Sequence, residues 1–132
     1  ANLSGSSGLL DPLDFLKQFK RSDGGILVYK AIGNTTFSLN PNWKIEENSI
    51  LTEEVNYCRS DGCGCGVNVA SLEWCKNVYP NSEYWLAEIP FEQLIKTVIP
   101  YNTDGKFRCG YLKLIRKLSL EEIDKQKSYI NE

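Results

Sequence analysis

Cysteine is the residue type whose spacing in this sequence comes nearest to a chemical site. Four of the five cysteines, Cys58, Cys63, Cys65 and Cys75, follow the spacing C-x4-C-x-C-x9-C. Structural zinc sites usually take their ligands as two C-x2-4-C pairs, and the second pair is missing here. Cys75 also falls in an apolar helical stretch, where a free thiol packs as a small hydrophobic group. We therefore expect reduced, packed thiols, with a zinc site of Cys58, Cys63, Cys65 and Cys75 as the alternative.

Three alternating glycines, Gly62, Gly64 and Gly66, lie in the same stretch and indicate a backbone that turns tightly or approaches another group closely. Glycine-rich phosphate cradles lead directly into a helix whose amides face the anion. In this chain a short predicted strand, residues 67–69, comes before the next helix. The pattern therefore favours a β-turn at the start of that strand over a phosphate site.

Tyr29 and Lys30 lie in the most regular apolar strand pattern of the sequence, residues 26–32. A buried lysine has a lowered pKa and can serve as a base or a nucleophile. The more common arrangement packs the lysine stem along the sheet and brings the ammonium group to a carboxylate. Glu88 and Glu73 are the carboxylates that we expect as partners.

Histidine is absent from the chain, so Ser-His-Asp and Cys-His catalysis are excluded in their usual forms. No other complete catalytic set occurs, and we expect no catalytic residue and no cofactor. A ligand cleft is the remaining possibility for a site. The residues that would line it are Tyr29, Lys30, Gly64, Gly66 and Asn68.

The apolar pattern and the turn signals together predict an α+β fold. We expect a mostly antiparallel, curved sheet, one helix after the glycine loop and short terminal helices. Asp11 and Pro12 mark the start of the first helix, and Gly24-Gly25 marks its end. The predicted strands are 26–32, 49–55, 67–70, 84–89, 96–100 and 106–118, with a helical turn at 90–94 and helices at 71–79, capped by residue 71, and after residue 119.

Local signals add detail to this outline. Residues 119–122 form a capping box, and Asp104-Gly105 is a hairpin signal. The alternation of the last strand changes phase beside Gly110, which predicts a β-bulge there. Residues 33–48 have the composition of irregular chain, in which Phe37 and Trp43 are the expected core anchors.

Composition and charge limit the classes of partner. The formal net charge is −2 and no basic stripe is present, so the sequence lacks the electrostatic footprint of a nucleic-acid-binding protein. No apolar run approaches the ~20 residues of a membrane span, and no signal-peptide pattern is present. The odd cysteine count also argues against a disulfide framework. We expect a cytoplasmic α+β domain over residues 9–132, without nucleic-acid or membrane partners, after a linker at residues 1–8.

Two separated blocks of the chain, Cys63–Trp74 and Ile99–Cys109, resemble a C-terminal domain that follows pentapeptide repeats in bacterial proteins. They are more distantly similar to the C-terminal region of the phage rapid-lysis B protein family, over about residues 26–118. That family has a Gly-Leu-His-Val strand where this chain has residues 66–69, so Asn68 replaces its histidine. The opening residues 1–5, Ala-Asn-Leu-Ser-Gly, match one pentapeptide repeat, and we expect residues 1–8 to include the remnant of one.

These resemblances imply a fold and a context rather than a reaction. They imply an accessory binding or interaction domain of a pentapeptide-repeat protein, with a protein or a small molecule as its partner. They do not determine the oligomeric state. A further likeness is to ADP-ribosyltransferases, whose layout is similar to Val28-Tyr29-Lys30 and residues 66–70. Lys30 stands where those enzymes have arginine or histidine. The alternative expectation is therefore a nucleotide-binding enzyme, or a degenerate one, with a cleft near Tyr29, Lys30 and Asn68.

Overall fold

Strand Gly25–Ile32 (β1) has one buried face and one half-buried face. The computed structural model describes residues 12–33, 39–60, 65–101 and 103–123. In β1, Ile26, Val28 and Lys30 are buried on one face, while Leu27 and Tyr29 are half-buried on the other. Side chains alternate between the faces of a strand, so the face of Lys30, hereafter the inner face, is opposite the face of Tyr29, hereafter the outer face.

Within the described residues, seven strands form two antiparallel sheets, which confirms the predicted α+β class. The other six strands are Ile50–Thr52 (β2), Val67–Val69 (β3), Glu83–Pro90 (β4), Thr97–Val98 (β5), Phe107–Cys109 (β6) and Tyr111–Lys117 (β7). The four-stranded sheet has the order β1-β4-β7-β2, and the three-stranded sheet has the order β3-β6-β5. All the pairings within them are antiparallel.

The two sheets are connected at two places. Tyr29 and Ala70 form an isolated antiparallel bridge, which joins β1 to the end of β3. β6 and β7 are separated only by Gly110, so one run of chain passes from the smaller sheet to the larger one. The main core cluster draws buried side chains from both sheets and from residues 15 and 19: Phe15, Phe19, Val28, Leu51, Val67, Val69, Ala87, Ile89, Phe107, Cys109, Leu112 and Leu114.

The helices are short, as predicted. They are Pro12–Leu16 (α1), Leu72–Val78 (α2), a 3-10 helix at Phe91–Lys96, and a helical turn at 120–123. Ser71 caps α2 as expected, because its side chain accepts a hydrogen bond from the Trp74 amide. The capping box is also confirmed: the Ser119 amide donates to Glu122 Oε1, and the Glu122 amide donates to Ser119 Oγ.

Two local predictions need correction. The first helix ends at Leu16 rather than at the paired glycines, because the chain from Lys20 onward already pairs with β1. No bulge lies beside Gly110, which separates two strands instead. The register shift lies between β4 and β7, where Leu86 pairs with Arg116 and Ala87 pairs with Leu114, so residue 115 is the extra one. Phe37 and residues 1–8 lie outside the described residues.

The alternation of side chains changes phase at Gly110 because neighbouring segments leave no room there for a side chain. A Cβ atom at this position would lie 3.1 Å from a side-chain methyl of Val55 and 3.2 Å from Lys96 Cβ. The backbone here bonds to both neighbouring segments: its amide donates to the Lys96 carbonyl, and its carbonyl accepts from the Glu53 amide. A glycine therefore lets three segments meet where the chain changes sheet. No helix in the described residues is long and apolar enough to cross a membrane.

Candidate functional site

Lys30 is buried on the inner face of β1, where only 7% of its surface remains accessible. Its ammonium group donates a hydrogen bond to the backbone carbonyl of Asn68 at 2.9 Å. The Trp43 ring lies beside it, with 5.6 Å between Nζ and the ring centroid, within the range of a cation–π contact. Lys30 therefore connects β1 to β3 and to the half-buried Trp43.

Burial lowers the pKa of Lys30 from 10.5 to about 8, because the charged ammonium loses its hydration in the core. Neither predicted carboxylate is its partner. Glu88 Oε2 accepts a 2.6 Å hydrogen bond from Ser22 Oγ, and Glu73 is exposed on α2.

The structure brings together three of the five residues expected in a cleft. Asn68 accepts from Lys30 through its backbone, and its side-chain amide approaches the Gly66 carbonyl at 3.4 Å. Gly66 has a φ of 143°, a conformation that favours glycine. Tyr29 lies on the outer face of β1, away from Lys30. Gly64 lies outside the described residues.

Arg108 is a second buried cation, and nothing in the sequence reading identified it. It lies in β6 opposite Asn68 of β3, and its side chain is fully buried. Its Nε donates to the Asn56 carbonyl at 2.8 Å and its Nη2 donates to the Cys58 carbonyl at 2.7 Å. The guanidinium group thus binds the backbone of residues 56 and 58. A charged residue between two core residues, Phe107 and Cys109, was the available signal.

The stem of Arg108 packs so closely against residue 66 that a glycine is needed there. A Cβ atom on Gly66 would lie 3.1 Å from Arg108 Cβ and 3.4 Å from its Cγ and Cδ. The amide of Asn56 donates to the Cys65 carbonyl at 2.9 Å, which joins residue 56 to residue 65. The glycine at this position therefore allows the arginine stem to pack beneath the segment that its guanidinium holds.

Exposed aromatic rings and a guanidinium group lie at residues 57–59 and at residue 101. The Arg59 guanidinium carbon lies 4.3 Å from the centroid of the Tyr101 ring, and its Nε donates to the Ile99 carbonyl at 2.8 Å. The Tyr101 amide donates to the Arg59 carbonyl at 2.9 Å. Tyr57 is 59% exposed and Tyr101 is 37% exposed. We refer to Tyr57, Arg59 and Tyr101 as the loop platform.

The cysteines are distributed between the surface and the core. Cys75 and Cys109 are buried, whereas Cys58 and Cys65 are exposed, so the expectation of packed thiols is wrong for these two; all four are free thiols. Burial raises the pKa of both Cys75 and Cys109 to about 12, which keeps them protonated, whereas zinc binds the thiolate. In the part of the chain that the structure describes, no three Cys, Asp or Glu side chains are grouped closely enough to hold a metal ion. Cys63, the fourth residue of the alternative zinc set, lies outside that part.

The arrangement around Lys30 and Arg108 is suited to holding backbone rather than to transferring groups. Both cations donate to backbone carbonyl oxygens.

Comparison of the chain with protein-family models, with curated proteins and with solved structures found no match.

Proposed function

We propose that this chain is a non-catalytic binding domain, an accessory interaction module of a pentapeptide-repeat protein that works in the reducing cytoplasm. The proposal rests on one observation: both buried cations form hydrogen bonds to backbone carbonyls. Lys30 and Arg108 donate to backbone carbonyls of Asn68, Asn56 and Cys58, and so hold structure in place. The four described free thiols are compatible with a reducing compartment.

The surface that we propose for the partner is the loop platform. Tyr57 and Tyr101 expose aromatic rings, and Arg59 is fixed in a stack against one of them. Tyrosine and arginine are enriched among the residues that dominate protein–protein binding energies. Arg108 fixes the backbone beneath the loop platform before any partner arrives, which reduces the entropy lost on binding.

The alternative, a nucleotide-binding enzyme with an ADP-ribosyltransferase-like layout, has less support. It needs Tyr29 and Lys30 to act on one ligand, yet the two side chains lie on opposite faces of β1. Addition of NAD or nucleotides should therefore leave the melting temperature unchanged. A stabilisation by NAD that is lost in Lys30→Met would favour the enzyme instead.

Site-specific photo-cross-linking tests the loop platform directly. A benzophenone amino acid is placed at position 57 in the full-length protein, expressed in its own host, and the products are identified by mass spectrometry. We expect one discrete cross-linked protein, whose yield falls about thirtyfold when Tyr101→Ala removes the other aromatic ring of the loop platform, since a binding hot spot contributes at least about 2 kcal/mol.

The matched control places the same amino acid at position 78, an exposed residue at the end of α2. Circular dichroism establishes that each labelled protein is folded. Identical products from positions 57 and 78, or no product from position 57 in folded protein, would contradict the proposed surface.

A further inference from the structure

A surface pocket of about 370 Å³ lies on the outer side of β1, where the structure shows Tyr29 rather than Lys30. Leu27 and Tyr29 provide one wall, and residues 71–76 at the start of α2 provide another. Residues 18–20 close it from the third side. Its volume lies near the lower end of the about 300–1,000 Å³ typical of small-molecule sites, so its size fits a small ligand.

Apolar side chains form part of the pocket lining. Phe19 and Leu72 are buried, and Leu27 is half-buried beside them. The Leu27 amide donates to the Lys20 carbonyl at 2.8 Å, so the backbone of the third side is fixed to β1. A ligand with an apolar body would remove this surface from water on binding.

Charged groups around the pocket are predominantly cationic. Lys20 and Lys76 carry positive charge and Glu73 carries one negative charge, which leaves an excess of one positive charge. Lys76 Nζ donates to the Ile123 carbonyl at 3.0 Å, which holds the ammonium group in place. Beyond the pocket, Arg116 and Glu122 form a 2.5 Å ion pair and compensate each other.

Tyr29 adds a hydrogen-bond donor. Burial raises its pKa above 10.0, so the hydroxyl is protonated at neutral pH. Among the described residues this hydroxyl has no hydrogen-bond partner. A small acceptor in the pocket would supply the interaction that the protein leaves open.

We infer that this pocket binds a small monoanion, a carboxylate attached to an apolar body of about one aromatic ring. The carboxylate lies towards Lys20 and Lys76 with the Tyr29 hydroxyl as a further donor, and the apolar body lies against Leu27 and Leu72. This site shares no residue with the loop platform and does not depend on the proposed protein partner.

Titration with phenylacetate, followed by proton–nitrogen correlation spectra of the 132-residue chain, tests the inference. We expect saturable shifts at residues 18–20, 27–29 and 71–76. The neutral isostere phenylacetamide should bind about tenfold more weakly, because it has no negative charge to pair with the lysine ammonium groups.

Lys20→Gln removes one cation from an exposed position and should weaken phenylacetate binding about threefold to tenfold without a change in melting temperature. Lys44→Gln, at an exposed lysine that does not line the pocket, is the matched control and should leave the affinity unchanged. Equal binding of the acid and the amide, equal affinity in Lys20→Gln and the parent, or no saturable shift would each overturn the inference. Cross-linking from position 57 should be unaffected by Lys20→Gln, so failure of one proposal is distinguishable from failure of the other.

Discussion

Lys30 and Arg108 are two buried cations, and each compensates in a different way for the hydration that its charge loses on burial. Each lies in a strand next to core residues, and each donates to backbone carbonyl oxygens. Arg108 donates to the carbonyls of both Asn56 and Cys58, whereas Lys30 donates to the carbonyl of Asn68. A guanidinium group is always charged and presents several donors in a fixed fork, while an ammonium group can lose its proton.

Arg108 therefore carries a permanent charge, whereas the charge of Lys30 depends on pH. Arg108 must remain charged, so its burial is tolerated only where carbonyl dipoles surround it. Lys30 has its pKa lowered to about 8 by burial, so a modest rise in pH makes it neutral. Arg108 should therefore determine whether the loop platform is ordered, and Lys30 should determine how stability depends on pH.

The largest expected effect is that of Arg108→Met. The variant leaves the Asn56 and Cys58 carbonyls without their charged donor, and the free energy of unfolding should fall by about 2–4 kcal/mol. Urea denaturation measures this loss. Amide hydrogen exchange should also accelerate at residues 56–60 more than in β1, because the backbone of the loop platform loses its anchor.

Arg108→Lys is the matched control for charge. It keeps the cation but cannot span two carbonyls with a rigid fork, so the expected loss is about half as large. A folded Arg108→Met variant with parental stability and unchanged exchange at residues 56–60 would show that the cost of burying the guanidinium balances its hydrogen bonds, and the comparison with Lys30 would fail.

The next effect is the pH dependence that Lys30 imposes. Its folded pKa, about 8, lies below its unfolded value of 10.5, so between these values the unfolded chain binds more protons. The Lys30 contribution to the free energy of unfolding therefore rises with pH above about 8, by about 1 kcal/mol up to pH 9, while ionisation of the two unfolded thiols offsets most of this gain over the same range. Above about pH 9 the sign reverses, because unfolded thiols ionise while Cys75 and Cys109 remain protonated in the folded state.

Lys30→Met isolates this contribution. The variant removes the buried charge and should be more stable than the parent by about 1–2 kcal/mol at pH 7, with no rise between pH 8 and pH 9. Urea denaturation of both proteins across pH 6–9 gives the two curves. A stability difference between them that does not change with pH would contradict a lowered pKa at Lys30.

The same comparison shows which parts of the structure were predictable. The alternation of β1 placed Lys30 on a buried face, and Ser71 and the capping box fixed two helix starts, because these signals act within a few residues. The opposite faces of Tyr29 and Lys30 also follow from that alternation. The expectation that Tyr29 and Lys30 line one cleft conflicts with this alternation.

The partners of the two cations were not predictable by the same means. The Asn68 carbonyl is 38 residues from Lys30, and the Asn56 carbonyl is 52 residues from Arg108. A backbone carbonyl carries no residue-type signal, whereas the carboxylates of Glu88 and Glu73 are visible in the sequence. The sequence places Arg108 in an alternating strand, and its burial follows from tertiary contacts such as those with Asn56, Cys58 and Gly66.

The smallest effect concerns the ring beside Lys30. Trp43→Phe removes the indole donor to the Thr52 carbonyl and weakens the cation–π contact with the ammonium group. Stability at pH 7 should fall by about 1 kcal/mol, and the pKa of Lys30 should fall below about 8, because the charged form loses a favourable neighbour. In a double-mutant cycle with Lys30→Met, the coupling should be about 0.5 kcal/mol at pH 7 and vanish above the pKa of Lys30. A coupling that persists at pH 9 would assign the loss to packing of the ring alone, and the charge of Lys30 would then play no part in holding Trp43.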